Sequence, residues 1–360
     1  MPDFHAEPRF AYHPETPPAQ PSVGGGWDDP QPDLARARRV FTGQRVLVVG
    51  DAILDCYRLA DGKSRCYAGG AAVIAGHLRA LGADPHLLTL TAPDQDSKQL
   101  RRCLDQAGVS HTALPLACML PRRVRRVQGD RIVALPGDRS LPEPRPSAGD
   151  CVAQQLDLLT PAGGAVIFAD FGYGTVTALL LDRLLPALRR RVRFLAGDVS
   201  GPRVSLLAMR RFNLLTPTAT ELRHLVAHAE PTAPLDPLAQ RLRRDLALQH
   251  LLVTRDRHGC VRYDAHGRAH RYASPARGVV DEVGAGDALL AVASLALGGG
   301  LDPDTATHLG QLAAAAAVAQ LGNAPLTWDR LHAAAPAPSP ARVAPAAPAP
   351  ATSTPTLPAA

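Results

Sequence analysis

Aromatic residues and long apolar runs are scarce in this chain of 360 residues. Phe, Trp and Tyr make up 4% of the sequence, and no basic segment is interleaved with them. This argues against a nucleic-acid surface, where aromatic rings stack on bases beside cationic side chains. The longest apolar run, residues 288–301, is too short and too rich in Gly to span a bilayer. We therefore expect neither a nucleic-acid nor a membrane partner, and we interpret the net charge of +6, nearly all from arginine, as a composition bias.

Cysteine pairs of the CxxC type are also lacking. The six cysteines are scattered along the chain, at Cys56, Cys66, Cys103, Cys118, Cys151 and Cys260. This spacing favours neither a zinc site nor a disulfide framework. The N-terminus shows no apolar segment typical of a secretory signal peptide. These absences predict a cytoplasmic protein with reduced thiols.

Hydrophobic periodicity is missing at both ends of the chain. Residues 1–42 contain Pro-rich pieces and the run Gly24-Gly25-Gly26, and residues 334–360 are rich in Ala, Pro, Ser and Thr. Segments of this composition cannot bury enough apolar surface to fold. We therefore predict a disordered N-terminal segment over 1–42, a folded domain over 43–333 and a disordered tail over 334–360.

Between these ends, strand-like and helix-like segments alternate. Arg45 to Val49 and Leu251 to Thr254 have the composition of buried strands, whereas Gly69 to Leu81 and Ala285 to Leu297 have helical spacing. A hairpin is predicted from Arg123 to Leu135. Alternation of this kind predicts an α/β fold with a mostly parallel sheet and helices on both of its faces.

Polar side chains fall at or just after several predicted strand ends. In parallel sheets, ligands gather at the carboxyl ends of the strands. One carboxylate there is explained by a helix cap, but several together predict a polar cleft. The residues in question are Asp51, Asp55, Asp170, Asp198, Thr216 and Arg255.

Residues 280–290 are typical of a Gly-rich turn that opens into an apolar helix. Gly284 and Gly286 allow backbone N–H groups to converge at a helix N-terminus, where unpaired donors and the helix dipole favour an anion. Asp287 stands in the first helical turn, beside any phosphate held there. A carboxylate in that place suits a general base that takes the proton of an attacking hydroxyl. The alternative is that the glycines only permit the turn and Asp287 only caps the helix.

Two separated motifs resemble the PfkB/ribokinase family of sugar kinases, and the likeness extends over nearly all of residues 43–333. The first is Ala68-Gly69-Gly70-Ala71-Ala72, and the second is Asp281 to Asp287, similar to the family's D-T-x-G-A-G-D. Within the family, the resemblance is closest to the D-glycero-β-D-manno-heptose-7-phosphate kinase domain of the ADP-heptose pathway. The segments that carry this likeness are 46–55, 169–174, 214–217 and 252–255.

The resemblance implies a fold, an activity and a set of cofactors. The fold is a ribokinase-like three-layer α/β/α domain with a small β lid, which is shortened here between Asp55 and Gly69. The activity is phosphoryl transfer from ATP, with Mg²⁺, to a sugar or sugar phosphate. Asp287 is implied as the catalytic base. The N–H groups of Gly284, Ala285 and Gly286 are implied as the anion hole for the transferring phosphoryl group.

The same resemblance implies the other site residues by position. The sugar side comprises Asp51, Asp55, Gly69, Gly70 and Arg123. The ATP side comprises Thr216, Thr254, Arg255, Gly259, Asp281 and Gln311. Glu221 is expected to organise Mg²⁺ through water. Since relatives often dimerise through the lid, a homodimer is a further expectation.

The chain departs from the family pattern at several of these positions. Val73 replaces an Asn that bonds the sugar, Glu282 replaces a Thr, Thr218 replaces the Asn of N-x-x-E, and Gln311 replaces an Asn near the adenine. A sugar kinase therefore stands beside two alternatives: a ribokinase-fold protein that binds its ligand without turnover, and a nucleoside kinase.

Arginines are concentrated in the predicted hairpin, at Arg122, Arg123, Arg125 and Arg126. Their guanidinium groups suit bidentate binding of a substrate phosphate. The alternative is a solvated strand face, since charged side chains also protect sheet edges.

Overall fold

The computed structural model describes residues 32–129, 131–135, 145, 147–200, 205–227 and 232–336. The disorder predicted for 1–42 and 334–360 therefore falls mostly outside the described residues. Within the described ranges, no helix combines the length and apolar character needed to cross a membrane.

Strands and helices alternate along most of this sequence. The helices are α1 (Leu34–Phe41), α2 (Ala71–Ala80), α3 (Gln95–Gln106), α4 (Ala148–Leu159), α5 (Ala178–Arg191), α6 (Ala219–Ala227), α7 (Leu235–Asp245), α8 (Ala285–Gly298), α9 (Pro303–Val318) and α10 (Trp328–Ala334). The strands are β1 (Arg45–Gly50), β2 (Ala52–Arg58), β3 (Ser64–Gly70), β4 (Asp84–Leu90), β5 (Ser110–Leu114), β6 (Arg122–Gln128), β7 (Arg131–Ala134), β8 (Ala165–Asp170), β9 (Phe194–Val199), β10 (Leu214–Leu215), β11 (His250–Thr254), β12 (Cys260–Tyr263) and β13 (Ala269–Tyr272).

Nine of the described strands form the central sheet, in the order β13-β12-β11-β10-β9-β8-β1-β4-β5. All neighbouring pairs from β11 to β5 are parallel, and only the pairs β11–β12 and β12–β13 are antiparallel. The central strands are continuous apolar runs such as Val46 to Val49, because helices cover them on both faces. The predicted α/β class and mostly parallel sheet are confirmed.

Two buried clusters lie on opposite faces of this sheet. One joins inward residues of β1 and β8 to helices α2, α8 and α9 and includes Ile74, Leu290 and Leu312. The other joins the alternate residues of the same strands to α4, α5 and α7 and includes Leu181 and Leu242. Because side chains alternate along a strand, one apolar run supplies both layers.

A second sheet of four described strands, in the order β3-β2-β6-β7, covers one end of the domain. Strand β2 follows β1 after the single residue Asp51, and β3 leads directly into α2. The predicted hairpin is present as β6 and β7, and it joins β2 through a parallel pairing. We call this sheet the lid. It comes from two distant stretches of sequence and places β2 between the hairpin and β3.

The domain begins earlier than the sequence indicated. Residues 34–41 fall in the segment expected to be disordered, yet they form α1, in which Ala37 and Phe41 are fully buried. The Phe41 ring lies 5.5 Å from that of Trp328 on α10. The expectation of disorder was therefore wrong for residues 34–41, and residues 1–31 lie outside the described residues. A helix of eight residues carries too little periodic signal to be recognised against a Pro-rich background.

The expectation that no cysteines would pair was wrong for one pair. Cys56 and Cys66 form a disulfide within the lid. They lie directly opposite each other in the antiparallel register of β2 and β3. The turn that brings them together gives no CxxC signature, and this is why spacing alone missed the bond.

Candidate active site

The Gly-rich turn before α8 has the backbone that the sequence implied. Gly284 is the N-cap and adopts a left-handed conformation with φ of 82°. A Cβ at this position would lie 2.4 Å from Oδ1 of Asn323, so only glycine fits. Ala285 and Gly286 open the helix, and Gly286 is exposed. Their N–H groups are among the first of the helix, which have no helical carbonyl to bond. The turn therefore presents an open anion site.

Asp287 lies in the first turn of α8, beside these donors. Its side chain is half-buried, and among the described residues its carboxylate accepts no hydrogen bond. Burial raises the pKa of Asp287 to about 7; nearby Asp55 and Glu221 raise it further, and Arg123 opposes the shift. A helix cap would accept a backbone N–H, and this carboxylate accepts none among the described residues, so the capping alternative does not describe it. Its predicted role as a general base stays a prediction.

Two more carboxylates interact electrostatically with Asp287, Asp198 near the end of β9 and Glu221 in the first turn of α6. Burial raises the pKa of Asp198 well above its ordinary value, and the Glu221 and Asp287 charges add to the shift. Burial likewise raises the pKa of Glu221. Thr216 donates its hydroxyl to Asp198 at 3.0 Å, and Glu221 forms a reciprocal cap with Thr218. A concentration of negative charge of this kind fits a divalent cation.

Direct chelation is not the arrangement seen here. Within the described residues, no group of three His, Cys, Asp or Glu side chains is placed to hold a metal ion. Mg²⁺ often keeps several waters and is held by one or two carboxylates together with substrate phosphates. Asp198 and the free oxygen of Glu221 fit that mode. The residues present therefore suit Mg²⁺ that arrives with a phosphorylated ligand.

Asp55 lies at the interface between the lid and the central domain, with 2% of its surface exposed. Arg125 on β6 donates to its Oδ1 at 2.7 Å, and Asn323 donates to its Oδ2 at 2.6 Å. A Cβ at Gly69 would lie 2.0 Å from Oδ2, so the glycine is needed for this close approach. Asp55 and Gly69 therefore lie in contact, the carboxylate is already satisfied by internal donors, and the sugar contacts of both residues stay predictions.

Gly70 adopts a left-handed φ of 59° at the N-cap of α2. A Cβ here would lie 2.4 Å from the backbone oxygen of Asp51, so this glycine is required by the backbone and is buried. Its role is the connection from β3 to α2, and the predicted contact with the sugar is not supported.

Asp51, predicted to contact the sugar, has a carboxylate that is engaged within the protein. Its carboxylate accepts backbone N–H groups of Phe171, Tyr173 and Thr175 at 2.9–3.0 Å, and the side chain is 2% exposed. Burial, with the nearby Asp170 charge, raises its pKa to about 6. Asp51 therefore holds the loop after β8, because a carboxylate satisfies several orphan donors at once.

The arginines of the hairpin have distinct partners. Arg125 pairs with Asp55, whereas Arg122 pairs with Asp96 at 3.3 Å. Arg123 stands 5.9 Å over the Phe171 ring, and its positive charge opposes the rise in the pKa of Asp287. The hairpin is thus more than a solvated face, and the predicted substrate contact of Arg123 stays a prediction.

Asp281 was expected on the ATP side, but its carboxylate is engaged within the protein. It accepts the hydroxyl of Tyr57 at 2.6 Å, the N–H of Gly322 at 3.0 Å and that of Val283 at 3.1 Å. The side chain is 3% exposed. Asp281 therefore holds the turn that leads to Gly284, and direct contact with nucleotide is not supported.

The other residues predicted for ATP divide into two groups. Thr254 ends β11 and Arg255 follows it, and both are half-buried. The other three are buried: Gly259, with φ of 80°, Thr216, which donates to Asp198, and Gln311 of α9, which is 4% exposed. Of these five residues, Thr254 and Arg255 have exposed surface for a nucleotide, and the ATP contacts of Gly259, Thr216 and Gln311 stay predictions.

Sequence reasoning missed two residues that join the lid to the turn. Asn323 was not considered, although it contacts both Asp55 and the Gly284 position. Tyr57 was also missed, because a tyrosine in an apolar strand is usually core. The available signal was the spacing of Asp55 and Tyr57, which are two residues apart on one predicted strand and therefore have their side chains on the same face.

Comparison with known proteins bears on this site. Residues 197–329 match the pfkB family carbohydrate kinases. The bifunctional protein HldE of Halorhodospira halophila is 31% identical, over 83% of this chain and 65% of that protein. HldE of Pseudomonas putida is 30% identical, over 82% and 64%. The chain thus spans slightly less than two thirds of the length of these curated relatives.

Solved structures show the same fold at lower identity. Phosphofructokinase-2 from Escherichia coli, in complex with potassium, aligns with a TM-score of 0.68 at 18% identity, covering 81% of this chain and 98% of that chain. Ribokinase from Arabidopsis thaliana, complexed with ribose and ATP, aligns at 0.61 and 19%, covering 81% and 99%. The predicted ribokinase-like fold and the resemblance to pfkB family carbohydrate kinases are confirmed.

Proposed function

We propose that this chain, a relative of the pfkB family carbohydrate kinases, transfers the γ-phosphoryl group of ATP to a hydroxyl of a sugar or sugar phosphate. The observation that carries the proposal is Asp287. Its carboxylate accepts no hydrogen bond among the described residues, has a pKa raised to about 7, and lies beside the N–H groups of the Gly284 turn. A base and an anion site in contact are the two parts that phosphoryl transfer requires.

The reaction balances with these groups. The acceptor hydroxyl gives its proton to a carboxylate oxygen of Asp287 as its oxygen forms a bond to the γ-phosphorus. The bond from that phosphorus to the β-γ bridging oxygen breaks, and ADP leaves with the electron pair. A base with a pKa near the working pH is best suited to this transfer and typically contributes about 10²–10⁴ in rate.

The backbone supplies the second contribution. The N–H groups of Gly284, Ala285 and Gly286 are fixed by the left-handed turn before any phosphate arrives. Donors arranged in advance for developing charge are each typically worth roughly 2.7–4 kcal/mol. Bound Mg²⁺ would neutralise phosphate charge beside Asp198 and Glu221, whose raised pKa values mark them as carboxylates in need of a cation.

The acceptor end favours an anionic sugar. Arg123 on the hairpin stands over the Phe171 ring, and its charge opposes the rise in the pKa of Asp287. Arg125 is paired with Asp55 at 2.7 Å. Both guanidinium groups belong to the lid strand β6, which pairs with the strand that carries Asp55. A sugar phosphate, in the first instance a heptose 7-phosphate, is accordingly the substrate class that we propose.

A protein that binds ligand without turnover is the second candidate, because one observation favours it. Both oxygens of Asp55, the carboxylate implied to bind the sugar, already accept internal hydrogen bonds. Val73, at the position of a sugar-bonding Asn, is buried in α2. A sugar kinase requires Asp55 to exchange one of these partners for a sugar hydroxyl, whereas a binding protein does not.

The deciding experiment measures ADP release. The full chain is incubated with Mg-ATP and a panel of heptose and hexose phosphates, and with nucleosides to cover a nucleoside kinase. ATP alone gives the background. We expect ADP and the phosphorylated sugar to form at the same rate, with the phosphorylated sugar identified by its mass. ATP binding by calorimetry without turnover on any member of the panel would instead establish the binding protein.

Two further properties belong to the proposal. We place the enzyme in the cytoplasm, where ATP is supplied. A homodimer is the assembly to test first, by sedimentation, since β3 and β7 are the edge strands of the lid among the described strands.

A further inference from the structure

Strand β2 of the lid carries two polar side chains that reach across to the same part of the central domain. Asp55 and Tyr57 are two residues apart and therefore point to one face. Asn323 donates to Asp55 at 2.6 Å, and the Tyr57 hydroxyl donates to Asp281 at 2.6 Å. All of these groups are more than nine-tenths buried. The lid thus contacts the central domain through two buried polar links.

The second link ends on Asp281, whose carboxylate also accepts two backbone hydrogen bonds. Asp281 Oδ2 accepts both the Tyr57 hydroxyl and the N–H of Gly322, while Oδ1 accepts the N–H of Val283. Val283 immediately precedes Gly284, whose N–H group opens the proposed anion hole. Gly322 immediately precedes Asn323, whose Oδ1 lies 2.4 Å from the place that a Cβ at Gly284 would take. One carboxylate therefore fixes both segments that shape the anion site.

The Tyr57 ring is held independently of its hydroxyl. It packs edge-on against Tyr67 with ring centroids 5.7 Å apart, and the Arg125 guanidinium stands 5.6 Å over it. Burial, together with the bond to Asp281, raises the pKa of the hydroxyl, so it remains a neutral donor at any working pH. Removal of the oxygen alone would leave the ring packing in place and would cut only the link to Asp281.

We infer that Tyr57 is a positioning residue for phosphoryl transfer, which couples contact of the lid to the shape of the anion hole through Asp281. The inference rests on the proposed function for its kinetic consequence, whereas the coupling itself is a property of the fold. When the lid strand withdraws, Asp281 loses its hydroxyl donor and the Val283 and Gly322 segments loosen. The anion hole is then complete only when the lid is in contact.

The kinetic test is Tyr57→Phe. We expect kcat to fall by about tenfold or more, the scale of one hydrogen bond to a charged group, with KM for ATP within about twofold of wild type. Such a split indicates a group that acts in the transition state. The matched control is Tyr263→Phe on β12, away from this site, where an equally buried tyrosine donates its hydroxyl to the partly exposed Asp236 of α7 at 2.6 Å. It should lose similar stability and leave kcat unchanged.

Hydrogen–deuterium exchange tests the coupling whether or not the protein turns over a substrate. Tyr57→Phe should speed exchange in peptides covering 281–287 and 320–324, and Tyr263→Phe should not. Since coupling is reciprocal, Asp281→Asn should speed exchange in the lid peptide 52–58. This second variant decides the matter if Tyr57→Phe does not fold.

The outcomes separate the two claims. Unchanged exchange in both variants overturns the inference, even if wild-type protein phosphorylates a sugar. Coupled exchange with an inactive wild type upholds the link while the proposed function fails. Active wild type with an unchanged kcat in Tyr57→Phe shows that the link has no catalytic role and overturns the inference as stated.

Discussion

Asp287→Asn should slow catalysis and stabilise the protein at the same time. Asn is nearly isosteric, so the fold of α8 is retained, but it cannot accept the hydroxyl proton. We expect kcat to fall by about 10²–10⁴, the usual scale for loss of a general base. ATP affinity should hold or rise, because a negative charge beside the phosphates is removed.

The stability change follows from the pKa of Asp287. Its rise from 3.8 to about 7 on folding corresponds to about 4 kcal/mol at 1.36 kcal/mol per unit. The side chain keeps some contact with water, so we discount this to ~2 kcal/mol. The folded state binds the proton more tightly than the unfolded chain, so stability falls as pH rises from 4 to 7. Asn, which is neutral throughout, should therefore raise the melting temperature above pH 7 and have little effect below pH 4.

The assay pairs thermal melts at pH 4.5, 6 and 8 with ADP release at pH 8. The control is Asp304→Asn, also in the first turn of a helix, where the carboxylate pairs with the buried Arg262. That variant should lower the melting temperature and leave kcat unchanged. The reasoning is refuted if Asp287→Asn matches wild-type turnover, or if it destabilises the protein at pH 8 as Asp304→Asn does.

Three further predictions concern the base, the turn and the N-terminal helix. The wild-type kcat/KM should rise with pH and level off above about 7, because Asp287 must be deprotonated to accept the proton of the hydroxyl. A flat profile between pH 5 and 8 would contradict this. Gly284→Ala should lower kcat by about 10²–10³, since the new Cβ would collide with Asn323. The control is Gly43→Ala: Gly43 has a similar φ of 72°, but a Cβ there would have open space around it, so this variant should lower only stability. Phe41→Ala should reduce the free energy of unfolding by about 3–5 kcal/mol in denaturant melts, and an unchanged midpoint would show that α1 does not dock.

The sequence predicted the parts of the fold that depend on local pattern. Buried strands such as Arg45 to Val49 and helices such as Ala285 to Leu297 were identified because apolar periodicity and Gly stops are local signals. The Gly-rich turn before Asp287 was identified for the same reason, since positive φ and close approach of backbone demand glycine at fixed spacing.

Contacts between distant segments were not accessible in this way. Asp51 was predicted to contact the sugar and Asp281 to contact ATP, yet the carboxylate of each accepts hydrogen bonds from backbone N–H groups of the protein. Nothing in the sequence states which carboxylate is left without partners, because that depends on where the loops after β8 and α9 come to lie. The bonds of Tyr57 and Asn323 cross more than 200 residues of sequence and are invisible to any local pattern.

The distribution of partners among the four carboxylates of the site explains where a cation is needed. Asp55 is paired with Arg125, and Asp287 lies near Arg123, so both have positive charge at hand. Asp198 and Glu221 have only neutral hydrogen-bond donors among the described residues, and burial raises the pKa of each. These two stand on the strand and helix next to the anion site, not on the lid. A magnesium nucleotide would bring positive charge to Asp198 and Glu221, and phosphate to the backbone N–H groups that lack an acceptor. The charges of the site are therefore complementary to the magnesium–nucleotide complex and not to the nucleotide alone.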